Sequence, residues 1–227
     1  MSDLVYCIAT RGWEGWTDCV HTWLRTANDH HAIYVVSDRD VMPSFQDAYE
    51  STKAPVLAYI HDDLEIYEKG WDHRVLRQFL DGSVGLVGIA GALGHCSPSL
   101  YTTEYRIPNL ARQSFLSNLR DAERHGARFV GETDVAVVDG MALFVRRDIL
   151  DRWGGWPVDK PYGYWLYSEA LCCETRRQGY RIRLVGIDAL HLGGKSSGHI
   201  AASPTYEEAH RYLYENNRDM LPYRVPE

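Results

Sequence analysis

Residues Val56 to Glu65 read VLAYIHDDLE: a buried-looking strand whose apolar residues stop abruptly at an imidazole and two adjacent carboxylates. Asp62 and Asp63 beside His61 are poor packing material, because their mutual repulsion needs a compensating cation or a wide opening to water. A divalent metal ion is the candidate that this arrangement suggests.

The chain around this segment alternates strand-like and helix-like stretches, the pattern of parallel β-α-β units. Leu4 to Ala9 predicts a strand ending in Thr10, Arg11 and Gly12; Trp16, Val20, Trp23, Leu24 and Ala27 then recur at helical spacing. Ala32 to Val36 predicts a second strand ending in Ser37, Asp38, Arg39 and Asp40, followed by a short helix around Phe45 to Ser51. Val56 to Ile60 is the third strand. Ligands of open α/β sheets gather outside the carboxyl ends of the strands, and here three successive strands end in TRG, SDRD and HDD.

Further along, Trp71, Val75, Leu76, Phe79 and Leu80 mark an amphipathic helix and Val84 to Ile89 a strand. Gly94 to Arg128 is polar and irregular, with a helix expected near Phe115 to Arg124. Val135 to Val138 and Met141 to Val145 flank Asp139-Gly140, a strand interrupted where glycine permits a bulge or close backbone approach. Tyr167 to Gln178 reads as a helix stopped by Gly179, Arg181 to Val185 as a strand, and Tyr206 to Asn217 as a last helix. The expected fold class is therefore α/β: one domain over residues 1–227, with a mainly parallel central sheet flanked by helices. Within it, residues 1–93 and 94–200 are expected to form two halves, followed by a C-terminal helix and tail over 201–227.

With 227 residues the chain is long enough for one α/β domain and large for two. A formal charge of -7 disfavours a broad surface for duplex nucleic acid, which depends on many Lys and Arg contacts to phosphate. The glycine-punctuated run Gly82 to Gly94 is too short to span a membrane and the N-terminus lacks a signal pattern, so the expectation is a soluble, cytoplasmic chain with no transmembrane segment. Five cysteines without CxxC spacing suggest reduced thiols. Of the 7 Trp and 15 Tyr, most belong in a core or its rim, while Tyr101, Tyr105, Tyr162, Tyr164 and Trp165 are candidates to stack on a sugar ring, a lipid-linked glycan or an unpaired base.

The ordered fragments TRG, SDRD, YIHDDLEI, VVDGMALFVRRDIL, WGGWP, GYRIRL and ALHLGG resemble the nucleotide-diphospho-sugar glycosyltransferases of the GT-A fold, family-2-like group, from about Leu4 to Ser197. In that family the third-strand motif is Asp-x-Asp or a near variant that binds a divalent ion bridging the diphosphate; here His61 stands where the first Asp is usual. The resemblance implies Asp63 as metal ligand, with His61 beside it, and Asp62 as second choice of ligand or as a donor-binding group. It also implies His191 as the distant histidine that completes the metal site. Carboxylate oxygens suit Mg²⁺ or Mn²⁺, and imidazole tilts the preference to Mn²⁺.

By the same resemblance Asp38 and Asp40 occupy the place of the acidic residue that binds the base or ribose, with Thr10 and Arg11 on the same face. Lys195 and Ser196 are placed to contact phosphate oxygens. WGGWP matches a segment whose glycines let the backbone run close to donor sugar and acceptor, and Asp139 falls near the donor sugar. The general base of inverting members precedes the helix that ends in GYRI, where Glu169 is the nearest carboxylate. Each residue has a plainer reading too: helix capping for Asp38, a surface ion pair for Arg11, turn support for Asp139, a structural hydrogen bond for His191, a solvent-facing position for Glu169.

The implied activity is metal-dependent transfer of a sugar from a nucleotide diphosphate, UDP in first place, to an acceptor hydroxyl, with inversion and Glu169 as base. The acceptor is a glycan or small molecule, with modified nucleic acid ranked last because of the acidic charge. Two alternatives stand beside it: a catalytically silent nucleotide-sugar-binding module, motivated by His61 and the lack of a Glu-Asp pair, and a metal-dependent nucleotidyltransferase.

Overall fold

The computed structural model describes residues 4–10, 12–37, 40–95, 115–121, 126–162, 166–193, 204–221 and 223–225. In chain order its elements are β1 (Leu4–Thr10), α1 (Trp16–Thr26), β2 (Ala32–Ser37), α2 (Val41–Ser51), β3 (Val56–Ile60), β4 (Leu64–Ile66), α3 (Trp71–Gln78), β5 (Val84–Gly88), β6 (Ala90–Ala92), β7 (Gly94–His95), β8 (Phe115–Ser117), β9 (Ala127–Arg128), β10 (Glu132–Val135), β11 (Val137–Val138), β12 (Ala142–Arg146), α4 (Arg147–Trp153), α5 (Tyr167–Arg177), β13 (Arg181–Val185), β14 (Ala189–His191), α6 (Pro204–Asn216) and β15 (Tyr223–Arg224).

Seven strands form the central sheet in the order β10-β13-β5-β12-β3-β1-β2. The expected parallel pairing holds for β2–β1–β3 and for β13–β5. Strand β12 enters between these two units antiparallel to both β3 and β5, and β10 joins antiparallel to β13, so the sheet is mixed.

The sheet is covered on both sides, which explains why β1 and β3 are apolar throughout rather than alternating. Side chains point to opposite faces in turn. Val5, Cys7, Leu57 and Tyr59 join a core with Phe45 of α2, Ile149 of α4 and Leu171 of α5. Leu4, Tyr6, Ile8, Val56, Ala58 and Ile60 join a second core with Trp23 of α1 and with Trp71 and Val75 of α3. Trp23 and Trp71 are fully buried, and Tyr6 stacks on Trp71 at 5.7 Å between ring centroids. Cys7, Cys19, Cys172 and Cys173 are unpaired and buried.

The expected helix at Phe115 to Arg124 is not what forms. Phe115–Ser117 is strand β8, paired antiparallel with β6 and parallel with β9 in a small second sheet; the residues numbered 122–125 lie outside the described part. Here the free edge of β6 outcompetes local helical spacing, and Gly91 makes the neighbouring approach possible, since a Cβ there would meet the Val137 carbonyl at 2.4 Å. The chain from Glu132 to Val138 likewise divides, with β10 on the central sheet and β11 paired to β6. Helix α3 ends at Gln78, where Phe79 and Leu80 donate to the carbonyls of Leu76 and Arg77, so Leu80 turns outward and is 84% exposed rather than on the packed face. Tyr162 is buried against Tyr212 of α6 instead of standing open to an acceptor; Tyr101, Tyr105, Tyr164 and Trp165 lie outside the described residues.

A buried carboxylate ties the α1–β2 connection to the start of α3. Asp72 accepts hydrogen bonds from the amides of Asn28 (2.9 Å) and Asp29 (3.0 Å) and pairs with His31 Nε2 at 3.0 Å. Burial pushes its carboxyl up, but the His31 contact and these amides outweigh burial and hold it well below the usual range. A depressed folded-state pKa contributes stability that is present above the unfolded value and is lost on acidification. Asp72→Asn is therefore expected to lose about 3 kcal/mol at pH 7, the scale of breaking a buried ionic cluster. It should also show a smaller further loss than the wild type between about pH 4 and pH 2. Urea unfolding across that range measures both, and an acid loss as steep as the wild type's contradicts the account.

Candidate metal and donor site

The carboxyl end of β3 is set by its neighbours on both sides. The carbonyl of Met141, just before β12, accepts from the amide of His61 at 2.9 Å, so the pairing of β12 with β3 carries the Asp139-Gly140 turn to the mouth of the strand. On the other side β4 pairs antiparallel with β14, with His191 opposite Leu64, and Leu192 donates to the Asp63 carbonyl at 2.9 Å. Helix α1 fixes β4 in turn: the Trp23 indole donates to the Leu64 carbonyl, and the Ile66 amide donates to Thr22 Oγ1 at 2.9 Å.

These pairings bring His191 to Asp63 across 128 positions of sequence, with Nε2 3.1 Å from Oδ1. His61 Nδ1 lies 3.9 Å from the same oxygen, and the two imidazoles face each other at 5.7 Å between centroids. The potential ligand atoms of His61, Asp63 and His191 all fall within 4.8 Å of one another. All three side chains are partly buried, their groups converging on one space, which is a donor set a divalent cation fits.

The two adjacent aspartates have parted. Asp63 turns to the histidines: burial raises its carboxyl, yet the His191 hydrogen bond and the charges of His191 and His61 outweigh this and hold it below the ordinary value. Asp62 turns to the end of β1, where burial raises its carboxyl against hydrogen bonds from the side chains of Thr10 and Trp13. The imidazoles differ in the same way. Burial and then repulsion from His191 push His61 down, whereas for His191 the hydrogen bond and charge of Asp63 overcome burial and push it up.

The remaining candidates divide. Thr10 is buried, its Oγ1 accepting from the Gly12 amide at 3.0 Å, on the Asp62 side of the site. Asp40 is exposed and occupies the N-cap position of α2, its carbonyl accepting from Ser44. Arg11, Asp38 and Lys195 lie outside the described residues. Asp139 accepts from the Met141 amide at 2.9 Å and so supports its own turn, while its charge reaches His61, His191 and Glu169. Glu169, in the first turn of α5, is half-buried rather than solvent-facing; it accepts from Ser168 Oγ at 2.7 Å, and burial pushes its carboxyl up to about 7.

In WGGWP the described contacts are structural: Gly154 closes α4 with φ 85°, and Trp156 is buried against Phe45 and Tyr59 and takes its amide bond to Gln46 Oε1. The family resemblance puts Tyr167 and Ser168 where the base is usual and gives Tyr167 no link to His61, yet its Oη lies 2.7 Å from His61 Nε2 and 3.1 Å from the Gly140 carbonyl. No sequence pattern marks that contact, because it joins the end of β3 to α5 through a turn of β12. A separate groove of about 590 Å³, lined by Pro55, Val56, Leu76, Phe79 and Leu80 among others, lies toward the opposite end of β3 and includes none of these residues.

A family model described as Glycosyltransferase like family matches residues 27–215. No curated protein sequence matches the chain. Among solved structures, the fold is similar to that of the mannosyltransferase PcManGT from Pyrobaculum calidifontis in complex with GDP-Man and Mn²⁺, at TM-score 0.57 and 11% identity over 96% of this chain and 72% of that one. It is similar to GalNAc-T7 with UDP, GalNAc and Mn²⁺, at TM-score 0.62 and 10% identity over 93% of this chain and 48% of that one. It is also similar to S. aureus TarS in complex with UDP-GlcNAc, at TM-score 0.56 and 10% identity over 93% and 65%. The chain thus spans about half the length of the GalNAc-T7 chain. At these identities the likeness is one of fold.

The raised carboxyl of Glu169 has a thermodynamic sign. With a folded value of about 7 against 4.5 for the free side chain, the folded state holds the extra proton between those values, so stability falls as pH rises through that window and is level above it. Glu169→Gln stays neutral and escapes the loss. Its stability relative to the wild type is expected to grow from pH 4.5 to pH 7 in denaturant titrations; a pH-independent difference would show that Glu169 titrates normally.

Proposed function

The chain belongs to the Glycosyltransferase like family and is a glycosyltransferase of the GT-A fold, and from that premise we propose that it moves a sugar from a nucleotide diphosphate donor to an acceptor hydroxyl with the aid of a divalent cation. The observation that carries this reading is the convergence of His61, Asp63 and His191 at the carboxyl end of β3, where an α/β sheet presents its ligand site.

His61, Asp63 and His191 would hold the cation, Mn²⁺ before Mg²⁺ because two of three donors are nitrogens. When bound, such an ion neutralises charge on a departing diphosphate. Asp62 and Thr10, on the β1 side, face the donor. Residues Arg11, Asp38, Asp40 and Lys195 retain the donor-binding roles that the family resemblance implies, with UDP as the first nucleotide to test and GDP as the second. Asp139 keeps the turn beside the donor sugar in place.

Glu169 is the base. Its burial gives it a carboxyl that titrates near neutrality, so that it is basic enough to accept the acceptor's hydroxyl proton and is still ionised in useful amount above pH 7. The acceptor oxygen would bond to the anomeric carbon from the face opposite the departing diphosphate as that carbon–oxygen bond breaks and the hydroxyl proton passes to Glu169, which inverts the carbon, the outcome the family resemblance implies. The acceptor is a glycan or another hydroxyl compound.

Calorimetry of the purified chain against UDP and GDP, each with Mn²⁺ and with EDTA, tests the donor site. Binding is expected with Mn²⁺ only, and Asp63→Ala is expected to abolish it; binding of neither nucleotide by folded protein would overturn the donor reading. Glu169→Gln is expected to bind the nucleotide as the wild type does but to lower kcat by about 10²- to 10⁴-fold on a panel of glycan acceptors. The wild-type rate should rise with pH through about 7. Donor binding with no turnover on any acceptor would favour a silent nucleotide-sugar-binding module.

A further inference from the structure

Three features that are far apart in sequence meet behind the candidate metal site. Tyr167 Oη sits between His61 Nε2, 2.7 Å away, and the carbonyl of Gly140, 3.1 Å away. The tyrosine ring is buried, 2% exposed, and wedged against Phe45 and Trp156. Gly140 is required for the approach, since a Cβ there would come within 2.4 Å of the hydroxyl oxygen. The same turn holds the backbone of His61, whose amide donates to Met141 O at 2.9 Å, and is itself braced by Asp139 on the Met141 amide.

Proton counting assigns the direction of each bond. A carbonyl oxygen only accepts, so the single hydroxyl hydrogen of Tyr167 goes to Gly140 O. The hydroxyl oxygen then accepts from His61, which in the neutral ring places the imidazole proton on Nε2 and leaves Nδ1 with its lone pair. Nδ1 is the nitrogen turned toward Asp63 Oδ1, at 3.9 Å. That separation is too long for a hydrogen bond and is suited to two atoms that share an ion between them.

We propose that Tyr167 is the positioning residue that fixes His61 as the Nε2–H tautomer, so that Nδ1 is the atom His61 offers to a divalent cation together with Asp63 and His191. The inference rests on the metal reading above and adds how a histidine serves at the strand-end position. An imidazole with a wandering proton would present a hydrogen to the ion for part of the time; the Tyr167–Gly140 pair removes that state. It acts from outside the donor set, as the hydrogen-bonding partners of metal-bound histidines do, and loss of such a partner typically costs about 10- to 100-fold in metal affinity.

The test is nitrogen-15 NMR of the imidazole rings in metal-free protein at pH 8, with His61 assigned through His61→Gln, followed by titration with Mn²⁺ read by electron paramagnetic resonance. The wild type is expected to show His61 protonated at Nε2 and to bind Mn²⁺. Tyr167→Phe is expected to show loss of the single tautomer and Mn²⁺ binding weaker by about 10-fold or more. A wild-type His61 protonated at Nδ1 overturns the proposal without needing any variant, and with Mn²⁺ binding intact it leaves the metal reading standing. A folded Tyr167→Phe with unchanged tautomer and affinity overturns it as well. Wild type with the Nε2–H tautomer but no affinity for Mn²⁺ overturns the metal reading, and with it the donor role assigned to Nδ1.

Discussion

The pairing of β12 with both β3 and β5 is the interaction on which the rest depends. Without it the parallel units β2–β1–β3 and β13–β5 have no common edge, and the seven-stranded sheet does not exist. Its register with β3 runs from Arg146 opposite Val56 to Ala142 opposite Ile60, and the next bond in line is His61 N to Met141 O. One antiparallel strand therefore both closes the core and delivers the Asp139-Gly140-Met141 turn to the place where the acidic cluster begins.

Electrostatics then sorts groups that are equivalent on paper. Asp62 and Asp63 are neighbours whose carboxyls are pushed in opposite directions, Asp62 upward by burial and Asp63 downward by the histidines that face it. A strand turn sends adjacent side chains to different sides, so one aspartate meets Thr10 and Trp13 and the other meets His191. The same separation suits the proposed roles, with the candidate metal ligands His61, Asp63 and His191 on one side of a backbone turn and Asp62 beside Thr10 on the other. Glu169, which shares the charge of Asp139 with the two histidines, owes its raised carboxyl chiefly to burial.

A good part of this was legible in the sequence. The uninterrupted apolar runs of β1 and β3 announced strands covered on two faces, and Trp16 to Ala27 announced a helix, because periodicity reports burial directly. Where pairing rather than periodicity decided, the expectation differed from the outcome: Phe115 to Ser117 became a strand because β6 offered an edge, and the segment after Val135 changed sheets. The polar strand end HDD and the isolated His191 were visible as candidates, whereas Tyr167 was not visible as a neighbour of His61. A side chain's partner across 106 positions leaves no mark in its own local pattern.

The sequence by itself determined the alternation of strands and helices, the strand end at which polar chemistry collects, and the residue types available there, since these follow from local spacing and from the chemistry of carboxylate and imidazole. Only the tertiary structure decided which of two aspartates meets the histidines, that Glu169 is half-buried, and which nitrogen of His61 faces the site. Those are matters of distance between segments far apart in the chain, and long-range strand pairing and packing set them.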